Sequence, residues 1–209
     1  MILDFHTHRL QAGDALISIS PSEFNPQPGL LYSVGIHPWN TLECTDRDFQ
    51  LLEEVATHPQ VVAIGETGMD SLHGASLDVQ HQIFCQHVAL AERVGKPLVI
   101  HMVRTSQQVL KVWQNSHKSV AWVIHGFRGN ERVAQPLIDA GFYLSYGPQF
   151  NPTALKITPH DRLLIETDSD LTTTIHQVAE KVAQTLGITP AELESLASHN
   201  ATKAVPLTP

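Results

Sequence analysis

Hydrophobic and polar positions follow one another along this chain on two length scales. Short apolar runs of three to six residues alternate with longer stretches in which apolar side chains return every three or four positions. Such alternation predicts βα units around a mostly parallel sheet. Eight runs read as strands: Ile2 to Phe5, Ala15 to Ile19, Leu31 to Ile36, Val61 to Gly65, Leu98 to Ile100, Val120 to Ile124, Phe142 to Ser145 and Leu163 to Ile165.

The helical periodicity is clearest in mid-chain. Asp46 to Thr57 gathers Phe49, Leu51, Leu52 and Val55, and Asp78 to Val94 gathers Ile83, Phe84, Val88, Leu90 and Ala91. Gly95 supplies a C-cap to the second, and Pro97 opens the next strand. Further helices are expected at Ser106 to Asn115, Glu131 to Ala140, Thr174 to Leu186 and Pro190 to Ser198. Thr189 is placed to cap the last of these.

Early in the chain the rhythm fails. The gap from His8 to Ala15 is too short for a helix, and Pro21, Pro26, Pro28 and Gly29 forbid one between Ser20 and Leu31. The pattern therefore predicts an α/β fold, a (β/α)8 TIM-type barrel that is reduced and irregular, with outer helices missing near its start. One domain over residues 1–209 is expected, with a frayed tail from Lys203 to Pro209.

Composition narrows the function. The 209 residues are 42% hydrophobic, enough for a sizeable core, and 13 Lys and Arg against 21 Asp and Glu give a formal charge of −8. That balance argues against an extensive nucleic-acid track. Thirteen histidines exceed what packing needs and point to metal or acid–base chemistry. Cys44 and Cys85 lack metal-knuckle spacing or a disulfide framework and read as reduced structural thiols. With no secretion-type start and no run near the ~20 apolar residues of a membrane span, a cytoplasmic protein without a membrane or obligate protein partner is expected.

The chemistry lies at the ends of the strands. In such a barrel the C-terminal strand ends form the active face. The first strand ends in His6 and His8, the third in His37, the fourth in Glu66, the fifth in His101, the sixth in His125 and the eighth in Glu166 and Asp168. Each has a structural reading taken alone: a polar turn for His6-Thr7-His8 and for Gly65-Glu66-Thr67-Gly68, and a satisfied core histidine for His101 or His125. Together they form a set that suits zinc, iron, nickel, manganese or magnesium. Asp168 is the better ligand and water activator, and Glu166 a residue behind it. Asp70 reads as a loop or capping residue.

In this order the pieces resemble the TatD-like family of metal-dependent hydrolases, the TatD-related deoxyribonucleases of the larger amidohydrolase-type barrel group. They are Asp4-Phe5-His6-Thr7-His8, Val34 to Trp39, Ala63 to Asp70, Gln80 through His101, His125 to Gly129 and Glu166-Thr167-Asp168, with a weaker echo in His199-Asn200-Ala201-Thr202. The resemblance implies a site of two divalent metal ions. His6, His8, Glu66 and Asp168 would hold one, and Glu66, His101 and His125 the other. It further implies phosphodiester hydrolysis by a metal-activated water, often of DNA or a short oligonucleotide, with Asp168 and Glu66 as catalytic residues.

Several departures bear on the substrate. The chain is short for the family, and Ser169-Asp170-Leu171-Thr172 stands where a proline and an Arg-Asn-containing loop are common. The arginine expected just after His101 is displaced to Arg104, and Arg128 stands where a small residue is usual. Arg9, Arg104 and Arg128 are candidates to meet a substrate phosphate. His37 and Trp39 are candidates to contact or stack on a base, with loop packing as the other reading of Trp39. Two other functions remain: hydrolysis of a C–N or C–O bond in a small metabolite, and metal-containing binding without catalysis.

Overall fold

A computed structural model describes residues 2–10 and 12–205. Eight strands form a closed barrel in the order β1 to β8: Asp4–Thr7, Ala15–Ile19, Leu31–Val34, Val61–Asp70, Leu98–Val103, Trp122–Ile124, Tyr143–Tyr146 and Leu163–Ile165. The helices are α1 (Asp46–Val55), α2 (Leu77–Val94), α3 (Ser106–Asn115), α4 (Glu131–Asp139), α5 (Pro152–Ile157), α6 (Ile175–Leu186) and α7 (Pro190–Ala204). As the proline-rich early segment predicts, no α-helix follows β1 or β2 among the described residues; a 3-10 turn at Pro21–Glu23 stands in the second gap. No helix among the described residues is long and apolar enough to cross a membrane.

The chain divides into two compact units, Met1–Ile17 with Val123–Pro209, and Ser18–Trp122. In the first, β1 pairs in parallel with β2 and with β8, Asp4 lying opposite both Ala15 and Ile165. Strand β7 pairs with β6 and β8. Phe5, Leu16, Ile17, Leu144 and Ile165 are fully buried there. Helix α6 lays Val178, Ala179, Val182 and Ala183 inward, and α7 does so with Leu193, Ala197 and Ala201. Thr189 caps α7 in a reciprocal arrangement with Glu192, satisfying N–H groups that the first turn leaves open.

Helix α7 runs past the expected end at Ser198, as far as Ala204, and the added stretch carries Asn200. Its side-chain amide donates to the carbonyls of His160 (2.6 Å) and Leu163 (2.8 Å), tying the helix to the entrance of β8. Lys203 and Ala204 are accordingly helical rather than frayed, while 206–209 lie outside the described residues. Helix α5, not anticipated from the pattern, is one short turn and a half capped by Asn151, which accepts from Thr153 N and Ala154 N.

In the second unit, β4 pairs with β3 on one side and β5 on the other. It continues five residues beyond Gly65, because β5 extends to Val103 and offers a partner as far as Asp70. Strand β1 is shifted the other way, covering Asp4–Thr7 instead of starting at Ile2. Asp70 and His101 thus lie in regular register, whereas Glu66 sits at the irregularity between Ile64 and Thr67. Gly68 permits this closeness: a Cβ there would stand 2.1 Å from the His101 carbonyl oxygen.

Helix α2 packs on β4 and sends His87 into the core, where it is fully buried. Its Nε2 accepts from Ile36 N at 3.0 Å and its Nδ1 donates to Ile83 O at 2.8 Å, so the ring is neutral and anchors the chain just before His37. Burial lowers its pKa to about 4, outweighing the upward pull of the Ile83 carbonyl. In the unfolded chain the group titrates near ~6.5. The stability it confers is complete above that pH and is lost as pH falls toward 4, by roughly 3 kcal/mol in total. Denaturant unfolding of wild type and His87→Gln from pH 7.5 to 4 should show their difference shrinking by most of that amount; a difference independent of pH would contradict the assignment.

Candidate metal centre

Each unit gathers its own set of nitrogen and oxygen donors at its strand ends. In the first, the end of β1 is stitched to the segment leaving β8. Asp168 N donates to His6 O at 2.9 Å, His8 N donates to Asp168 O at 3.3 Å, and Thr7 bridges Asp168 in parallel register. This brings His6 Nε2 and His8 Nε2 to 3.8 and 3.7 Å from Asp168 Oδ1. Asp168 adopts a left-handed backbone conformation, φ 52°, which turns its side chain out of strand register; Asp tolerates this better than most residues.

A second carboxylate holds that exit in place. Asp4, buried within β1, accepts from Thr167 N at 2.9 Å and Thr167 Oγ1 at 2.6 Å, and so clamps the residue between Glu166 and Asp168. Burial raises the Asp4 pKa to about 6; the Thr167 hydrogen bonds pull it down, and the neighbouring Glu166 pushes it up. Glu166 itself is fully buried. Its Oε1 accepts from Gly126 N at 2.7 Å and lies 3.3 Å from His125 Nδ1, whereas its Oε2 has no hydrogen-bond partner among the described residues. The His125 ring lies against that of His6, with centroids 4.0 Å apart.

In the second unit, Glu66 Oε1 lies 2.9 Å from His37 Nε2 and 2.8 Å from His101 Nδ1. The other nitrogen of His101, Nε2, is 3.1 Å from Asp70 Oδ2. Asp70 is no simple turn residue. It is buried and also accepts from Trp39 Nε1 (2.7 Å), Leu72 N (2.7 Å) and His73 N (3.2 Å). Burial would raise its carboxyl, but the hydrogen bonds from Trp39, Leu72 and His101 outweigh that effect and hold its pKa at about 2.

The candidate substrate residues fare differently. His37 stands against Glu66 and is as much a part of the donor set as His101. Arg128, exposed, lines a cavity of about 220 Å³ with Gly126, Gln149, Glu166, Asp168 and Asp170. Arg104 is exposed at the end of β5 and makes no hydrogen bond or ion pair among the described residues. Arg9 is engaged within the protein: its guanidinium donates to the carbonyls of Asp170 and Thr173 and pins the loop after β8. Trp39 is half exposed, with its ring against those of His37 and His73.

The donor chemistry fits a divalent cation. Imidazole and carboxylate groups converge as His6, His8 and Asp168, as His125, Glu166 and Asp168, and as His37, Glu66 and His101. A buried carboxylate oxygen left without a partner, as on Glu166, is costly unless positive charge is nearby.

Comparison with known proteins agrees with this reading. Residues 23–205 match the family described as TatD related DNase. The chain belongs to that family. It is 30% identical over 190 residues to YabD of Bacillus subtilis, named as an uncharacterised metal-dependent hydrolase, covering 81% of this chain and 74% of that one. It is 33% identical over 157 residues to the 3'-5' ssDNA/RNA exonuclease TatD of Musicola paradisiaca, covering 68% of this chain but 58% of that protein. Its fold superimposes on the TatD homolog YJJV of Escherichia coli with a TM-score of 0.86, 18% identity, and coverage of 100% and 98%. The TatD-family chain is thus a metal-dependent hydrolase on a TIM-type barrel.

Asp4 and Asp70 are the residues that strand-end reading undervalues. The signal for Asp4 was a charge inside an apolar run, which in a buried strand demands a partner. Asp4→Ala, which frees Thr167, should lower divalent-metal affinity by roughly 10- to 100-fold in a chelator competition, with Asp4→Asn losing less. Unchanged affinity in the alanine variant would show that Thr167 needs no clamp.

Proposed function

We propose that this chain hydrolyses phosphodiester bonds, acting on DNA or a short oligonucleotide with two divalent ions held by His6, His8, Glu66, His101, His125 and Asp168. What carries the reading is the His6, His8 and Asp168 set, together with the Glu66 and His101 set, in a family whose Musicola relative is named an exonuclease. Zinc, manganese, magnesium, nickel and iron all suit the mixed donors. Bound ions of this kind acidify a water and polarise phosphoryl oxygens.

The protein's own groups supply the remainder. Asp168, one quarter exposed beside the buried His6, is placed to take the proton of an attacking water. Glu66 orients His101 and His37 through one oxygen, and Asp4 keeps the Glu166-Thr167-Asp168 segment from relaxing. Arg128, at the cavity beside Asp168, is the better placed of the arginines to pair with a phosphate. A cytoplasmic setting and a single functional domain over residues 1–209 belong to the same reading.

Hydrolysis of a C–N or C–O bond in a small metabolite is the competing reading, favoured by the charge of −8, which opposes a polynucleotide. Purified protein supplied with manganese, magnesium or zinc should release nucleotides from single-stranded DNA, duplex or short oligonucleotides, and Asp168→Asn should lower kcat by roughly 100-fold or more. Turnover of lactones or amides with none of phosphodiesters would select the competing reading. Bound metal without turnover of either class would leave a binding protein.

A further inference from the structure

A large aromatic side chain left in water is costly unless something covers it. Trp39 is 52% exposed, yet both of its N–H groups are hydrogen-bonded. Its indole N–H donates to the buried Asp70 Oδ2 at 2.7 Å, and its backbone N–H donates to His37 Nδ1 at 3.1 Å. The ring meets His37 edge-on, with centroids 5.0 Å apart, and leans on His73 at 4.9 Å.

The turn beneath it is equally fixed. Trp39 sits in the 3-10 turn Pro38–Asn40, whose Pro38 carbonyl accepts from Thr41 Oγ1, while the same Thr41 oxygen accepts from Ala75 N at 3.0 Å. The loop after β4 presses so closely on that turn that a Cβ on Gly74 would stand 2.1 Å from Pro38 O. One carboxylate, Asp70, thus fastens both the indole and His101 of the Glu66 set.

We infer that Trp39 is a stacking platform for a nucleobase carried next to the scissile phosphoester, a conclusion that rests on the phosphodiester reading above. A preformed aromatic surface loses little freedom on binding a planar partner. Stacking on it is indifferent to base identity, because every base presents a π-face. Asp70 is then a positioning residue that sets the base platform and the Glu66 donor set at a fixed separation.

The test uses metal-loaded protein and two probes, adenosine 5'-monophosphate and ribose 5-phosphate, with binding followed by calorimetry and tryptophan fluorescence. The base-bearing probe should bind roughly 5- to 150-fold tighter. It should quench tryptophan emission. In Trp39→Leu the ratio of the two affinities should fall close to one, and in Trp39→Phe most of the preference should survive, since the aromatic face remains. Equal binding of both probes by wild type overturns the platform and leaves the phosphoester reading standing. A preference that persists in Trp39→Leu also overturns it, because the base is then held elsewhere. Failure to bind either probe removes the phosphoester reading and the platform with it.

Discussion

The pairing of β1 with β8 is the constraint on which the first donor set depends. Parallel register puts Asp4 opposite Ile165 and Thr7 opposite Asp168, so residues more than 160 positions apart become immediate neighbours. The buried Asp4 carboxylate makes that register chemically specific, because both of its oxygens accept hydrogen bonds from Thr167. A one-residue slip would reverse which side chains face the core and would strand the carboxylate without a partner. His6, His8 and Asp168 come together as a consequence of strand pairing rather than of any attraction among them.

The second unit reaches a comparable result by a different route. Here β4 and β5 run side by side from Thr67 to Asp70; Asp70 and His101 project from this regular stretch, and Glu66 from the irregularity just before it. Carboxylates on both nitrogens of His101 fix its ring plane. Helix α2 secures the chain entering His37 through His87, and Gln80 on the same helix accepts from Asp70 N and donates to Asp70 O. Helices on the outside of the barrel therefore supply hydrogen bonds to the strand ends as well as apolar cover.

Much of this was legible in the sequence, and the exceptions have physical causes. The strands were visible as apolar runs, and the missing early helices as prolines. The ends of β1, β4 and β5 were misjudged because polar residues such as Glu66 and His101 read as the close of a strand, when neighbouring backbone carries the ladder on to Asp70 and Val103. Helix α5 is too short to show a period, and its Asn-Pro start was the only sign available. The roles of Arg9 and Asn200 rest on long-range contacts to backbone carbonyls, which no local pattern encodes. The candidate ligands were legible because His and carboxylate residues recur at the ends of several apolar runs that a barrel sets side by side; Asp4 was passed over because it lies inside an apolar run, and Asp70 because a carboxylate beyond a strand end has an ordinary turn reading.

The central proposal is that two donor sets of one TatD-family chain would each hold a divalent ion. Counting bound metal by elemental analysis after stepwise titration tests it most directly. The account predicts two ions per chain in the wild-type protein, preferential loss of one in His8→Ala, and preferential loss of the other in His101→Ala. A single ion in the wild type, or equal loss of both ions in either variant, would contradict it.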